Sequence, residues 1–279
     1  VQAPTDIRRP DGAARGRWDC HTHIFGPWQD YPLASNPAYV PAEAPFCALR
    51  ALHAACGLTR GVIVQAAPYG EDHTALLDAL RAGGGAYRGI ALISETTSPQ
   101  TLERLHGAGV RGIRLGMMKH LAGKPDATRM GALLDKIRPL GWHALVHGEL
   151  PDVLDVVPEL LRHGVPLVID HMARAPVDGS VDLAPLLALL RDANVWIKLS
   201  GADRITRGQN DCRAALPTMA RLIEAAPDRA IWGSDWPHVN IAYPPPAMPS
   251  LLGLLHEACG AGPALLASIL SDNPSRLYG

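Results

Sequence analysis

Trp18-Asp19-Cys20-His21-Thr22-His23-Ile24-Phe25 opens the first apolar run of the chain, and Ile231-Trp232-Gly233-Ser234-Asp235-Trp236-Pro237-His238 closes the last. Side chains alternate across a pleated strand, so His21 and His23 point to the same side. A histidine pair near one end of the sequence and an aspartate near the other meet only if the intervening sheet closes on itself. Between the two blocks, apolar runs recur at 61–65, 87–94, 112–114, 142–147, 166–171 and 195–200, which with 17–23 and 230–235 make eight expected strands. The stretches 71–83, 101–106, 130–140, 152–163, 183–192 and 212–225 carry apolar residues at helical spacing. Strand and helix alternate without a composition shift. The economical solution is one α/β fold, a single (β/α)8 barrel over 17–279, preceded by a loose polar arm over 1–16.

Reading each run to its C-terminal end gives His21/His23, Gln65, Ser94/Glu95, Arg114, His147, Asp170/His171, Lys198/Ser200 and Asp235. Barrel active sites lie on that face, so these ends should ring one pocket. Other motifs fail on context. Gly107-Ala-Gly109-Val-Arg-Gly112 matches a dinucleotide fingerprint letter for letter, but it precedes an expected strand where the fingerprint should follow one. No nucleophile elbow, Walker loop or His-Glu-x-x-His helix occurs.

The chain has 279 residues, 47% hydrophobic and 19% charged, with a formal net charge of -1, which gives no electrostatic footprint for nucleic acid or an anionic membrane. No apolar run approaches bilayer length. The five cysteines are odd in number and scattered without a Cys-x-x-Cys pair, so neither a disulfide framework nor a thiolate zinc site is expected. The expectation is a cytoplasmic protein acting on a small molecule.

The site blocks resemble the amidohydrolase superfamily, and within it the 2-pyrone-4,6-dicarboxylate lactonase group. The resemblance rests on His21 to Pro27, Tyr39-Val40-Pro41, Val62 to Ala66, Arg111 to Arg114, Val168 to Met172, Ile231 to His238 and Asn273-Pro-x-Arg276-Leu-Tyr. It implies a hydrolase that opens a carboxylated lactone, the small anionic substrate of the chain, in the breakdown of aromatic or sugar-acid compounds. It also implies Asp235 as the base that activates water, His21, His23 and His171 as partners of the carbonyl and its oxyanion, and Arg114 as a carboxylate clamp. Arg204, in Ser-Gly-Ala-Asp-Arg, fits as a second clamp. Tyr39, Gln65, His120 and His238 complete the candidate substrate contacts.

Two positions depart from the group: His120 stands where the lactonase has a further arginine, and His147 where it has a tyrosine. Losing an arginine fork weakens dicarboxylate recognition. Gaining His147 restores the superfamily's histidine after strand 5, so two readings of the cofactor stay open. Either none is required, or His21, His23, His147 and Asp235 hold one divalent metal such as Zn²⁺ that acidifies a bound water. A metal-dependent decarboxylase, a lactone isomerase and a non-catalytic ligand-binding barrel are the rival functions. Lys198 reads as a pocket lysine or a structural ion pair. His53, His73, His106, His143, His163 and His256 read as structural or solvated, and Trp18, Trp142, Trp196 and Trp232 as packing residues.

Overall fold

The computed structural model describes residues 16–118, 126–260 and 262–279, so His120 and residues 1–15 of the expected arm lie outside the described residues. The eight runs form eight strands: β1 (Trp18–Thr22), β2 (Arg60–Val64), β3 (Tyr87–Ala91), β4 (Val110–Gly116), β5 (His143–His147), β6 (Leu167–Ile169), β7 (Val195–Leu199) and β8 (Ala230–Trp232). All neighbours are parallel and the spatial order is the sequence order. At the seam, Asp235 N–H donates to His21 O at 2.9 Å and His23 N–H to Trp236 O at 2.8 Å. Thr22 bridges Trp236 there. The sheet curls into a single (β/α)8 barrel.

Helices cover the outside because each presents one apolar stripe. The helix Leu150–Leu160 buries Leu150, Val153, Val156, Val157 and Leu160, the spacing of a single helix face. Helix starts are capped where the sequence supplies an oxygen: Ser98 Oγ accepts from Thr101 N–H and Asp126 Oδ1 from Arg129 N–H.

Two apolar compartments result from strand alternation. Val62, Val64, Leu145, Val168, Trp196 and Ile231 fill the barrel interior with Trp18 and Cys20, while Ile63, Ala144, Val146, Ile169, Ile197 and Leu199 face the helices. Tyr278 closes the interior from below, stacked on Trp18 at 5.7 Å and edge-on to His143 at 5.1 Å. Trp18, Trp142, Trp196 and Trp232 are all buried packing residues, and the five cysteines are free.

Boundaries differ from the sequence reading where the backbone leaves the regular regions. The run 166–171 ends as a strand at Ile169 because His171 to Arg174 take positive φ, and 230–235 ends at Trp232, with Asp235 itself at φ 66°. The expected helix 212–225 begins at Leu216; the preceding Asn210–Ala215 turn is broken by positive φ at Asp211 and Cys212. Helices Phe46–Ala55 and Met248–Ala258, which carry His53 and His256, complete the outer layer. The glycine-rich 107–112 stretch leads into β4 and opens no helix. No helix among the described residues is long and apolar enough to cross a membrane.

Candidate active site

The pairing of β1 with β2 slips between Asp19 and Thr22: Trp18 faces Arg60, Asp19 faces Gly61, and Thr22 already faces Ile63. This bulge lets Cys20 remain in the interior while His21 and His23 both reach the upper rim. Their Nε2 atoms lie 3.2 Å apart, and Asp235 Oδ1 lies 3.5 Å from His21 Nε2 and 3.6 Å from His23 Nε2. His171 Nε2 stands 3.9 Å from the same oxygen, which itself accepts no hydrogen bond. The other oxygen, Oδ2, takes Arg204 Nε–H at 2.5 Å. Burial pushes the Asp235 carboxyl up, but the Arg204 guanidinium together with His171, His23 and His21 outweighs it and holds the group well below the ordinary carboxylate range.

The far side of each ring is tied down. His23 Nδ1 is 2.8 Å from the Val64 carbonyl, which only accepts, so a neutral His23 leaves Nε2 bare. His171 Nδ1 meets Ser200 Oγ at 2.8 Å. His21 Nδ1 sits 3.0 Å from Asp170 Oδ1 and 3.3 Å from Lys198 Nζ. Asp170 is the hub of this layer, with Lys198 Nζ at 3.7 Å, Arg114 Nη2 at 3.7 Å and His171 Nε2 at 3.5 Å. Burial lowers His21 to about 4 and His147 and His171 well below the usual imidazole value, so these rings are neutral near neutral pH.

A pocket opens above this layer, lined by His23, Tyr39, Arg114, His147, His171, Arg174, Arg204, Asp235, Val239 and Asn240. Four backbone units in a left-handed turn, His171 to Arg174 at φ 48–54°, precede its floor. In so tight a turn residues i and i+3 eclipse, so His171 and Arg174 face the same space. Arg174 Nε is buried without a hydrogen-bond partner.

The structure brings His21, His23, His171, Asp235, Arg114, Arg204, Tyr39 and His147 to one rim. Gln65 is used elsewhere: its Nε2 donates to Gly70 O at 3.1 Å and Asp72 O at 2.7 Å, fixing the loop after β2. His238 also lies outside the pocket lining, with its N–H on Asp235 O and Nδ1 3.6 Å from Asp203 Oδ2. Arg204, expected as a second clamp, lines the pocket and is also held by Asp235 and by Val239 O.

His147 accepts from Arg114 Nη2 at 3.0 Å through Nδ1. A guanidinium only donates, so the neutral ring carries its proton on Nε2 and offers no second lone pair there. That removes His147 from the expected metal set in this arrangement. The remaining donors do fit a divalent ion. When His21 carries its proton on Nδ1 and donates a hydrogen bond to Asp170, His21 Nε2, His23 Nε2 and Asp235 Oδ1 are three acceptors facing one another at 3.2–3.6 Å. Bonds of about 2.0–2.1 Å in a tetrahedral zinc site put ligand atoms roughly 3.3 Å apart. His171 also brings a ligand atom within 4.8 Å of those of His21 and Asp235.

Sequence reasoning assigned no role to Asp170, although it stands beside His171 at the end of a strand run. Lys198 was legible: it is two residues past the inward Trp196 on β7 and therefore faces inward as well. Arg174 had no signal, because its direction depends on a left-handed turn that no residue in His171-Met-Ala-Arg174 announces.

Paired histidines at the end of β1, a histidine after β6 and an aspartate after β8, gathered on the C-terminal face of a parallel barrel, define a barrel protein with a His/Asp catalytic-type centre. The chain belongs to the amidohydrolase family, whose profile matches residues 18–279. It is 34% identical over 275 residues to a 2-pyrone-4,6-dicarboxylate hydrolase of Comamonas testosteroni, covering 94% of this chain and 90% of that one. It is also 34% identical to a 4-sulfomuconolactone hydrolase of Rhizobium radiobacter, covering 99% and 93%. A solved structure of a candidate 2-pyrone-4,6-dicarboxylic acid hydrolase from Pseudomonas putida superposes with a TM-score of 0.83 at 29% identity, covering 96% and 98%.

Proposed function

We propose that this protein opens the ring of a small lactone bearing an acidic group by adding water to its ester carbonyl. One observation carries the reading: the guanidinium groups of Arg114, Arg174 and Arg204 line the same pocket as Asp235 and the imidazoles of His23, His147 and His171. Basic side chains around a hydrolytic-type centre suit an anionic substrate, and the curated relatives are named for a pyrone dicarboxylate and a sulfonated lactone.

Asp235 Oδ1 is the proton acceptor, free of hydrogen bonds and fixed in direction by the Arg204 contact to Oδ2. A water between Oδ1 and the carbonyl carbon passes a proton to Asp235 as its oxygen attacks. The carbonyl oxygen becomes an oxyanion, and the Nε2–H of His147, buried and unpartnered, is a preformed donor for it. Collapse breaks the ring C–O bond, and Asp235 returns its proton to the departing oxygen. The product has a new carboxyl group, which ionises and releases one acid equivalent. Arg174 and the available edge of Arg114 hold the substrate's acid group, and Tyr39 covers it from the loop after β1. A divalent ion, where bound, would be held by His21, His23 and Asp235 and would supply acidification of the attacking water.

The test is turnover of 2-pyrone-4,6-dicarboxylate and of 4-sulfomuconolactone in a pH-stat with product analysis. Ring opening with one acid equivalent per turnover is expected. Release of CO₂, or an isomerised lactone without acid release, overturns the reading.

A further inference from the structure

The Asp19 carboxylate is fully buried below the pocket, on β1 beside the seam with the segment after β8. Its Oδ1 accepts two backbone N–H groups, from His21 at 3.1 Å and from Ser234 at 2.9 Å. These belong to the two segments that carry His21, His23 and Asp235. One oxygen thus replaces the carbonyl that a regular ladder would supply between β1 and the end of β8. Its Oδ2 faces His53 Nε2 at 3.4 Å, and His53 Nδ1 meets Tyr87 OH at 3.0 Å, which anchors the carboxylate to the helix Phe46–Ala55 and to β3. Gly233 makes the approach close: a Cβ there would come within 2.6 Å of His21 Cβ and 2.7 Å of His21 N. Ser234 adds a smaller link, accepting from Trp236 N–H through Oγ at 3.0 Å.

We infer that Asp19 is a positioning residue that locks the β1–β8 seam and thereby sets the separation of Asp235 from His21 and His23. It touches no substrate. Its effect on turnover rests on the lactone-opening reading, whereas its effect on the geometry of the rings does not. The oxygen that matters is an acceptor, so Asp19→Asn keeps it: the amide oxygen takes both N–H groups while the amide NH₂ donates to His53 Nε2. Asp19→Ala loses both bonds at once.

The experiment compares wild type, Asp19→Asn, Asp19→Ala and Gly233→Ala by long-range ¹H–¹⁵N spectra of the histidine rings without substrate, with thermal melts alongside. Asp19→Asn should leave the His21 and His23 ring resonances at their wild-type positions, and Asp19→Ala and Gly233→Ala should move both. On 2-pyrone-4,6-dicarboxylate, kcat of Asp19→Ala should fall about a hundredfold, the cost of roughly an ångström of misplacement, with KM nearly unchanged because the arginines are untouched. A folded Asp19→Ala with unmoved rings overturns the inference, as does Asp19→Asn shifting them as far as Asp19→Ala. Should Asp19→Ala fail to fold, Gly233→Ala decides: unmoved rings there overturn it. If wild type turns over none of the tested lactones, the functional reading fails and the ring resonances still decide the role of Asp19.

Discussion

Replacing Arg174 with methionine isolates the charge of one guanidinium with little change in side-chain length. Arg114 is already engaged by His147 and lies 3.7 Å from Asp170, and Arg204 is held by Asp235. Arg174 makes no ion pair among the described residues, and its Nε is buried without a partner. It is therefore the pocket arginine with most to gain from an anionic ligand. A hydrogen bond to a charged group contributes about 1.5–3 kcal/mol net. Lost from transition-state binding, that is about a 10- to 150-fold fall in kcat/KM. The assay measures kcat/KM for an acidic lactone and for a neutral lactone of the same ring size, on wild type and Arg174→Met. The acidic substrate should lose the full factor and the neutral one less than about threefold. Arg174→Lys should fall between, since an ammonium supplies charge without the planar fork. Equal losses on both substrates, with an unchanged melting temperature, would refute the anion-clamp argument and leave Arg174 as a support of its turn.

Asp235→Asn should lower kcat at least about a hundredfold while the protein stays folded, because general-base catalysis is typically worth 10²–10⁴; near-normal steady-state turnover would remove Asp235 from that role. His147→Tyr should keep more activity than His147→Ala, since a phenol can still donate to the oxyanion; equal kcat values for the two would deny His147 the donor role. Zn²⁺ added to metal-free protein at about a hundred times its dissociation constant should stabilise the fold by roughly 2.7 kcal/mol, read as a rise in melting temperature. His21→Ala should abolish that rise and His147→Ala should preserve it, and the reverse pattern would restore His147 to the metal set.

The fold was legible because its signal is local and repeated. Val62 and Val64, or Trp196 and Lys198, face inward through the two-residue period of a strand, and eight such runs with helices between leave few topologies. The rim was legible for the same reason, since a polar residue just past an apolar run stands at the barrel mouth. What the rim residues do there was less legible, because it depends on which acceptors the fold brings to them. Arg204 is drawn onto Asp235, 31 residues away, and Gln65 onto the carbonyls of Gly70 and Asp72, which meet it only once the loop after β2 has folded back. His147 shows the point most clearly. Its position after β5 left a metal ligand and a hydrogen-bond donor both open, and only the contact from Arg114 on the neighbouring β4 to Nδ1 tells which ring nitrogen carries the proton.

Backbone strain follows the same geography. His171, Met172, Ala173 and Arg174 lie at φ 48–54°, and Asp235, His238 and Asn240 at φ 57–66°. Left-handed backbone costs a non-glycine residue about 1–2 kcal/mol, so such a cluster persists only where its surroundings over-determine it. Here they do. Asp170 and Ser200 bind the rings of His21 and His171, and Ala175 N–H closes the turn onto Met172 O at 3.2 Å. Arg204 fastens the second stretch through Asp235 and Val239 O, and Asp235 N–H is tied to His21 O across the seam. Arg207, Asp211 and Cys212 after β7 also take positive φ, but the strained segments after β6 and β8 are those that deliver His171, Arg174 and Asp235 to the pocket. A right-handed turn after β6 would relieve the backbone but carry residue 174 away from the side His171 faces. The barrel spends its stability on placing an imidazole, a guanidinium and a carboxylate around one small volume, which is what attack on an anionic lactone requires.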